Sequence, residues 1–162
     1  MTESNRAPKI VLREVIDSDL PIFFEHQSDM MSQRMAAIPI RDREGFETHW
    51  AKIRADETGV IRTIVVDGEV AGNVLSFERD GHREVGYWIG RPFWGRGVAT
   101  IAVHEFLSTS ETRRPLHGHV ATHNGASMRV LEKCGFIRSG EDSEFARVGD
   151  QVIEGVVYVL ER

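Results

Sequence analysis

The segment Glu84 to Thr100, EVGYWIGRPFWGRGVAT, holds residue types whose spacing could bind an anion. It reads as a strand (EVGYWI), a glycine turn (Trp94-Gly95-Arg96-Gly97) and an apolar stretch, Val98 to Leu107, with helical spacing. Glycines let successive backbone N–H groups approach an anion with no Cβ in the way, and a helix start adds partial positive charge. The segment is therefore a candidate phosphate cradle. The amides of Arg96, Gly97, Val98 and Ala99 would face the phosphate, with the Thr100 hydroxyl and the Arg96 charge in reach. The spacing fits neither GxGxxG nor GxxxxGK[ST], so the dinucleotide and P-loop readings fall away. The plainer alternative is a glycine turn with a solvated arginine.

Further along, Asn124-Gly125-Ala126-Ser127 opens an apolar segment that ends at Glu132-Lys133-Cys134-Gly135-Phe136. Asn124 is a natural helix N-cap, Gly135 a natural stop, and Ser127 lies one turn in. Glu84 and Glu144 are carboxylates that could take a proton, or equally surface and cross-strand charges. His117 and His119 share one strand face, but no carboxylate or thiol accompanies them at a metal-ligand distance, and no metal is expected. Cys134 cannot form an internal disulfide and reads as a packed thiol.

The glycine turn resembles the acyl-CoA pyrophosphate loop of the GNAT superfamily of N-acetyltransferases, [Q/R]-x-x-G-x-[G/A]. Gly97 and Ala99 match it, and Trp94 stands where Gln or Arg is usual. That departure is typical of a branch whose members acetylate protein N-termini, chiefly of ribosomal proteins, along with some small amines. Asn124 to Ser127 and Gly135-Phe136 resemble the same branch's N-x-x-S…GF, and the likeness spans about Lys9 to Leu160. The resemblance implies acetyl-CoA as co-substrate and an amine as acceptor, either a protein N-terminus or a small molecule such as a polyamine, an aminoglycoside or an amino-acid-like compound. It also implies a bulged strand at Tyr87, Trp88 and Ile89, which would open a slot for the pantetheine and turn a backbone N–H toward the thioester oxygen. Trp94 and Gly95 would join the cofactor loop, and Asn124 and Ser127 would meet the pantetheine arm. Many members use a tyrosine four residues before the GF glycine as the thiolate's acid. Leu131 stands there, so Ser127 becomes the candidate donor. Glu144-Phe145 resembles the branch's E-[Y/F] pair, which places Glu144 slightly ahead of Glu84 as general base. A non-catalytic acetyl-CoA sensor is the reading from a different class. Homodimers are frequent in the branch.

The bulk numbers fit one globular domain. Net charge is −5 and the pI about 5.8, against a nucleic-acid binder. Residues 1–8 are polar with no apolar core segment, and no stretch approaches the roughly 18 apolar residues of a membrane span, so the expectation is a cytoplasmic protein.

These residues need elements to hold them. Residues 1–8 read as a flexible tail before a single domain over 9–162. IVLREV alternates as a first strand. Asp17-Ser18-Asp19 and Pro21 open a helix to about Ser28, Met30 to Ile40 is irregular, and Arg41 to Asp56 is a second helix. Two Asp-Gly turns join three strands into a meander ending in EVGYWI. A third helix, the strand LHGHVAT, a fourth helix and two final strands joined at Gly149-Asp150 complete the order βααβββαβαββ. That order is the one the GNAT fold would show: an α/β mixed sheet of about seven strands and four helices, with a V-shaped gap between the fourth and fifth strands.

Overall fold

Two Asp-Gly pairs organise the centre of the fold. In the computed structural model, which describes residues 7–162, Asp67 and Gly68 have φ of 49° and 85°, and Asp80 and Gly81 have 52° and 81°. Left-handed residues at both central positions define the type I′ turn, whose twist matches that of paired strands. The turns link β2 (Val60–Val66), β3 (Glu69–Arg79) and β4 (His82–Ile89). With β1 (Ile10–Arg13), β5 (Leu116–Ala121), β6 (Ile137–Val148) and β7 (Gln151–Leu160) they form one seven-stranded sheet. Its order is β1-β2-β3-β4-β5-β7-β6, antiparallel except where β4 meets β5.

Strand alternation sends neighbours to opposite faces. Val74 joins a core with Val98, Ala102 and Phe106 of α4 (Val98–Thr109) and Leu131 of α5 (Gly125–Lys133). Leu75 instead meets a cluster built on Phe23 of α1 (Leu20–Gln27) and Phe46 and Trp50 of α3 (Arg43–Ala55). Phe23, Phe46 and Trp50 are buried, with Leu20, Phe24 and Ile53 partly buried against them.

Helices cover both faces, and there are five among the described residues rather than the four expected. The addition is α2 (Met30–Ala36), inside the stretch that reads as irregular. Its cause is local. The Asp29 carboxylate accepts from the backbone N–H and the hydroxyl of Ser32 at 3.0 and 2.9 Å, and Ala37 ends the helix in the left-handed region with its N–H on Gln33 O. Asp19 also departs from expectation. Instead of capping α1, its buried carboxylate accepts from Arg13, Thr63 and the Ile16 N–H.

The parallel pair β4–β5 shares one registered position, Glu84 with His117. Past it the strands separate toward Ile89, opening the expected V. The bulge is not where the resemblance puts it: β3–β4 register runs without a shift from Arg79/His82 to Gly72/Ile89. The shift lies between β2 and β3, where Ala71 is the extra residue. Below the V, the fully buried Glu111 accepts from Ser76, Arg83 and Arg113, tying the end of α4 to β3 and β4.

Of the expected tail, residues 1–6 lie outside the described residues. Among the described residues, no helix is long and apolar enough to cross a membrane.

Candidate active site

Gly95 and Gly97 sit at φ of 74° and 73°, with nothing within 4 Å of where a Cβ would stand. Backbone conformation rather than crowding demands glycine here, since L-residues rarely adopt positive φ. Gly97 caps α4, and the helix's first backbone bond is Ile101 N–H to Gly97 O at 3.2 Å. The amides of Val98, Ala99 and Thr100 precede that bond, in the set a helix leaves without intrahelical acceptors. The Trp94 indole donates to Ile89 O at 2.9 Å, folding the turn back onto the end of β4.

These groups line a cavity of about 370 Å³ in the V. Tyr87, Trp88 and Ile89 form one wall, and Trp94, Gly95 and Gly97 to Thr100 the glycine turn. Asn124, Ala126, Ser127 and Val130 come from α5 and its cap. Ser32, Met35 and Ala36 of α2 close the remaining side. Composition gave no signal for that wall, because α2 itself is unmarked by apolar periodicity. Arg96 is not part of the lining: its guanidinium lies 3.6 Å from Asp67 and 5.9 Å from the Phe93 ring centre.

Asn124 is the N-cap of α5, its Oδ1 accepting from Ser127 N–H at 3.2 Å. The Ser127 and Tyr87 hydroxyls meet at 2.5 Å, where either can donate, and the Tyr87 hydroxyl can alternatively donate to Ser127 O at 3.2 Å. Burial pushes the Tyr87 phenol well above its ordinary value, the bond to Ser127 opposing this in part. Leu131 is buried in the core, its methyls over Gly118. A tyrosine hydroxyl thus reaches Ser127 from β4 rather than from α5. The two residues are 40 apart in sequence, so spacing could not have paired them.

The two carboxylates sit apart, and neither lines the cavity. Glu84 is buried at the narrow end of the V. Arg79 holds both its oxygens, at 3.0 and 2.9 Å. Its Oε1 is also 3.3 Å from His119 Nε2, and His119 Nδ1 is 3.5 Å from Asp142 Oδ2. Glu144 is exposed on a bulge of β6, where the register with β7 slips by two residues between Asp142/Gly155 and Ala146/Ile153. Phe145 of that bulge packs over Gly155, where a Cβ would meet it at 2.7 Å.

Among the described residues no cluster could hold a metal ion; the His82 and His117 rings meet edge to face at 4.8 Å. Burial pushes the Cys134 thiol up, away from the reactive thiolate.

A splayed β4–β5 pair with a glycine turn leading into a helix is thus one half of the site, and the N-capped α5 with its hydroxyl pair the other. The sequence profile of the acetyltransferase (GNAT) domain matches residues 9–137, most of the chain. The chain belongs to the GNAT family. It is an acetyl-CoA-dependent N-acetyltransferase. The GNAT match reaches the start of β6 and stops short of Glu144. A Bacillus subtilis protein named "Putative ribosomal N-acetyltransferase YdaF" is 28% identical over 124 residues, covering 73% of this chain and 68% of that one. Spermidine N-acetyltransferase from Vibrio cholerae, solved with CoA and spermine, superposes with a TM-score of 0.81 at 18% identity, over 94% of this chain and 95% of the other. A GNAT-family acetyltransferase from Bacillus anthracis gives 0.79 at 16%, over 96% of each. At such identities the superpositions establish the GNAT fold alone.

Proposed function

We propose that this enzyme acetylates the N-terminal α-amine of a protein. The cavity carries the reading: it brings the amides of Val98, Ala99 and Thr100 and the hydroxyl of Ser127 onto one slot beside the exposed-edge backbone of β4. In this reading the amides and the open space at Gly95 and Gly97 hold the pyrophosphate of acetyl-CoA, and Asn124 and the β4 residues Trp88 and Ile89 guide its arm. When bound, acetyl-CoA supplies the activated acetyl group. Ser127 donates a proton at the departing sulfur.

The acceptor nitrogen must lose a proton before it attacks. Glu84 is the better-supported acceptor of that proton. It is buried on the strand that lines the slot, roughly 10 Å of strand from Tyr87. It therefore acts through an intermediary such as a water. His119, whose two ring nitrogens lie 3.3 Å from Glu84 and 3.5 Å from Asp142, holds the carboxylate in place. Glu144 stands exposed on the β6 bulge and would need that segment to fold inward.

The α-amine of a protein is supported by the likeness to the relative named for ribosomal N-acetylation. A small amine such as a polyamine is the second reading, supported by the fold shared with a spermidine N-acetyltransferase. The test is thiol release from acetyl-CoA against N-terminal peptides of differing first residue and against a set of polyamines, aminoglycosides and amino acids. Peptide turnover exceeding small-amine turnover in kcat/KM carries the proposal, and the reverse order overturns it. Tight acetyl-CoA binding with no turnover on any amine would instead mark a sensor.

A further inference from the structure

An aliphatic hydroxyl is a poor acid for a thiolate. Thiols ionise near pH 8.5 and free phenols near 10, whereas serine carries no ordinary side-chain ionisation in that range. Burial makes Tyr87 a weaker acid than a free phenol, but a phenol remains a stronger acid than an aliphatic alcohol. Ser127 by itself would be left as a costly alkoxide after giving up its proton. The Tyr87 hydroxyl lies 2.5 Å from Ser127 Oγ, and both residues line the same cavity. The contact is held from two independent elements. Tyr87 is fixed within β4 by its register to Val74, and Ser127 by the Asn124 cap on its own N–H.

We infer that Tyr87 and Ser127 form one proton-donating unit for the departing thiolate. The inference rests on the reading of Ser127 as the group that meets the sulfur. As the acceptor nitrogen bonds to the acetyl carbon, the C–S bond breaks and its electron pair stays on sulfur. The Ser127 hydroxyl proton passes to sulfur while the Tyr87 phenolic proton passes to Ser127 Oγ. Tyr87 is left as phenolate and recovers the second proton of the acceptor nitrogen, the one shed as the amide forms, the first having gone to Glu84 before attack. Serine ends as it began, no alkoxide accumulates, and the net products are amide and thiol. Burial favours the neutral phenol, so Tyr87 holds its proton before the reaction and regains it promptly afterwards.

The test combines Tyr87→Phe, Ser127→Ala and the double variant in single-turnover acetyl transfer, with acetyl-CoA affinity measured calorimetrically on each. Phenylalanine keeps the ring and removes only the oxygen. Each single variant should lose about 10²-fold or more in the transfer rate, with acetyl-CoA affinity within about threefold of wild type. Groups acting as a unit are non-additive, so the double variant should be no slower than the slower single. Rates in mixed H₂O and D₂O supply a readout that packing would not move: a curved dependence for wild type, from two protons in flight, becoming linear in Tyr87→Phe. If Tyr87→Phe retains the wild-type rate while Ser127→Ala is slow, the unit is overturned and Ser127 acts alone. If Ser127→Ala is as fast as wild type, Ser127 as proton donor fails first and the inference goes with it. Should Tyr87→Phe lose acetyl-CoA binding, the isotope dependence of Ser127→Ala decides: linear supports the unit and curved overturns it.

Discussion

Gly72 on β3 lies so close under the carbonyl of Trp88 on β4 that a Cβ there would overlap the oxygen. Gly86, on the same pair of strands, has room: its Cβ would stand 3.7 Å from Leu75 Cδ1. The neighbour at Gly72 is backbone and cannot rotate away, so β4 must move, and Trp88 is part of the cavity wall. Gly72→Ala should therefore destabilise by about 1–3 kcal/mol and weaken acetyl-CoA binding, whereas Gly86→Ala should be tolerated. Thermal unfolding and calorimetry on the two variants check this. Equal melting temperatures would mean that β4 is not held against Gly72.

Gly97 gives a prediction on the other side of the cavity. At φ 73° an L-residue is strained, and its side chain would extend into space that is now open. Gly97→Val should raise the acetyl-CoA dissociation constant at least tenfold, with a smaller loss in melting temperature of the ligand-free protein. Unchanged affinity would put the phosphate cradle elsewhere.

Glu84→Gln should lower kcat/KM most at neutral pH, and the loss should shrink as pH rises toward the pKa of the acceptor amine. A base matters in proportion to the substrate still carrying its proton, a fraction that falls about tenfold per pH unit above that pKa. Glu144→Gln should stay within about threefold of wild type across the same range. A larger, pH-rescued defect in Glu144→Gln would mean that the β6 bulge folds over the cleft during turnover.

Acid stability should depend on Glu111. Burial alone would raise its carboxyl, but hydrogen bonds from Arg113 and Ser76, with the Arg83 charge, hold it at about 2. The folded pKa lies below the ordinary 4.5, so the stabilisation is complete above pH 4.5 and is lost as pH falls toward 2. The effect is on the order of 3 kcal/mol at most. Glu111→Gln should be less stable at pH 7, and its unfolding free energy should fall less steeply between pH 4.5 and pH 2. A variant as pH-sensitive as wild type in that window would assign acid unfolding to other carboxylates.

The parts of the fold that were legible in sequence are those where one local signal suffices. Asp67-Gly68 and Asp80-Gly81 each dictate a turn by backbone conformation, and the bounds of β3 and β4 follow from them as expected. Asn124 and Gly135 bracket α5 in the same way: the first caps it and the second leaves it at φ 95°. The helix α2 was not legible. It is two turns long, capped by Asp29 in a run of polar and methionine residues, and it ends at Ala37 rather than at a glycine. The candidate cavity was legible where it consists of backbone, at Gly95 and Gly97 to Thr100, and not where it depends on side chains meeting across the fold. Nothing local couples Tyr87 to Ser127 or Glu84 to His119, because strand and helix are brought together only by the sheet order. Glu144-Phe145 was marked by its resemblance to an E-[Y/F] pair, but nothing local showed that a register slip in β6 would leave the carboxylate exposed.

The position of α2 has an evolutionary consequence. Every other wall of the cavity is drawn from Tyr87 to Val130, whereas Ser32, Met35 and Ala36 come from a seven-residue helix hung between Asp29 and Ala37. It is moored by few bonds, among them Arg34 O to His123 Nε2 at 2.7 Å and Asp29 to Arg91 at 3.0 Å, and its outward methionines Met30 and Met31 are exposed. Mutations there can reshape one side of the chamber without disturbing the glycine turn or the hydroxyl pair. A lineage can thus drift in the shape of one wall of the chamber while keeping the glycine turn and the hydroxyl pair that its other walls supply.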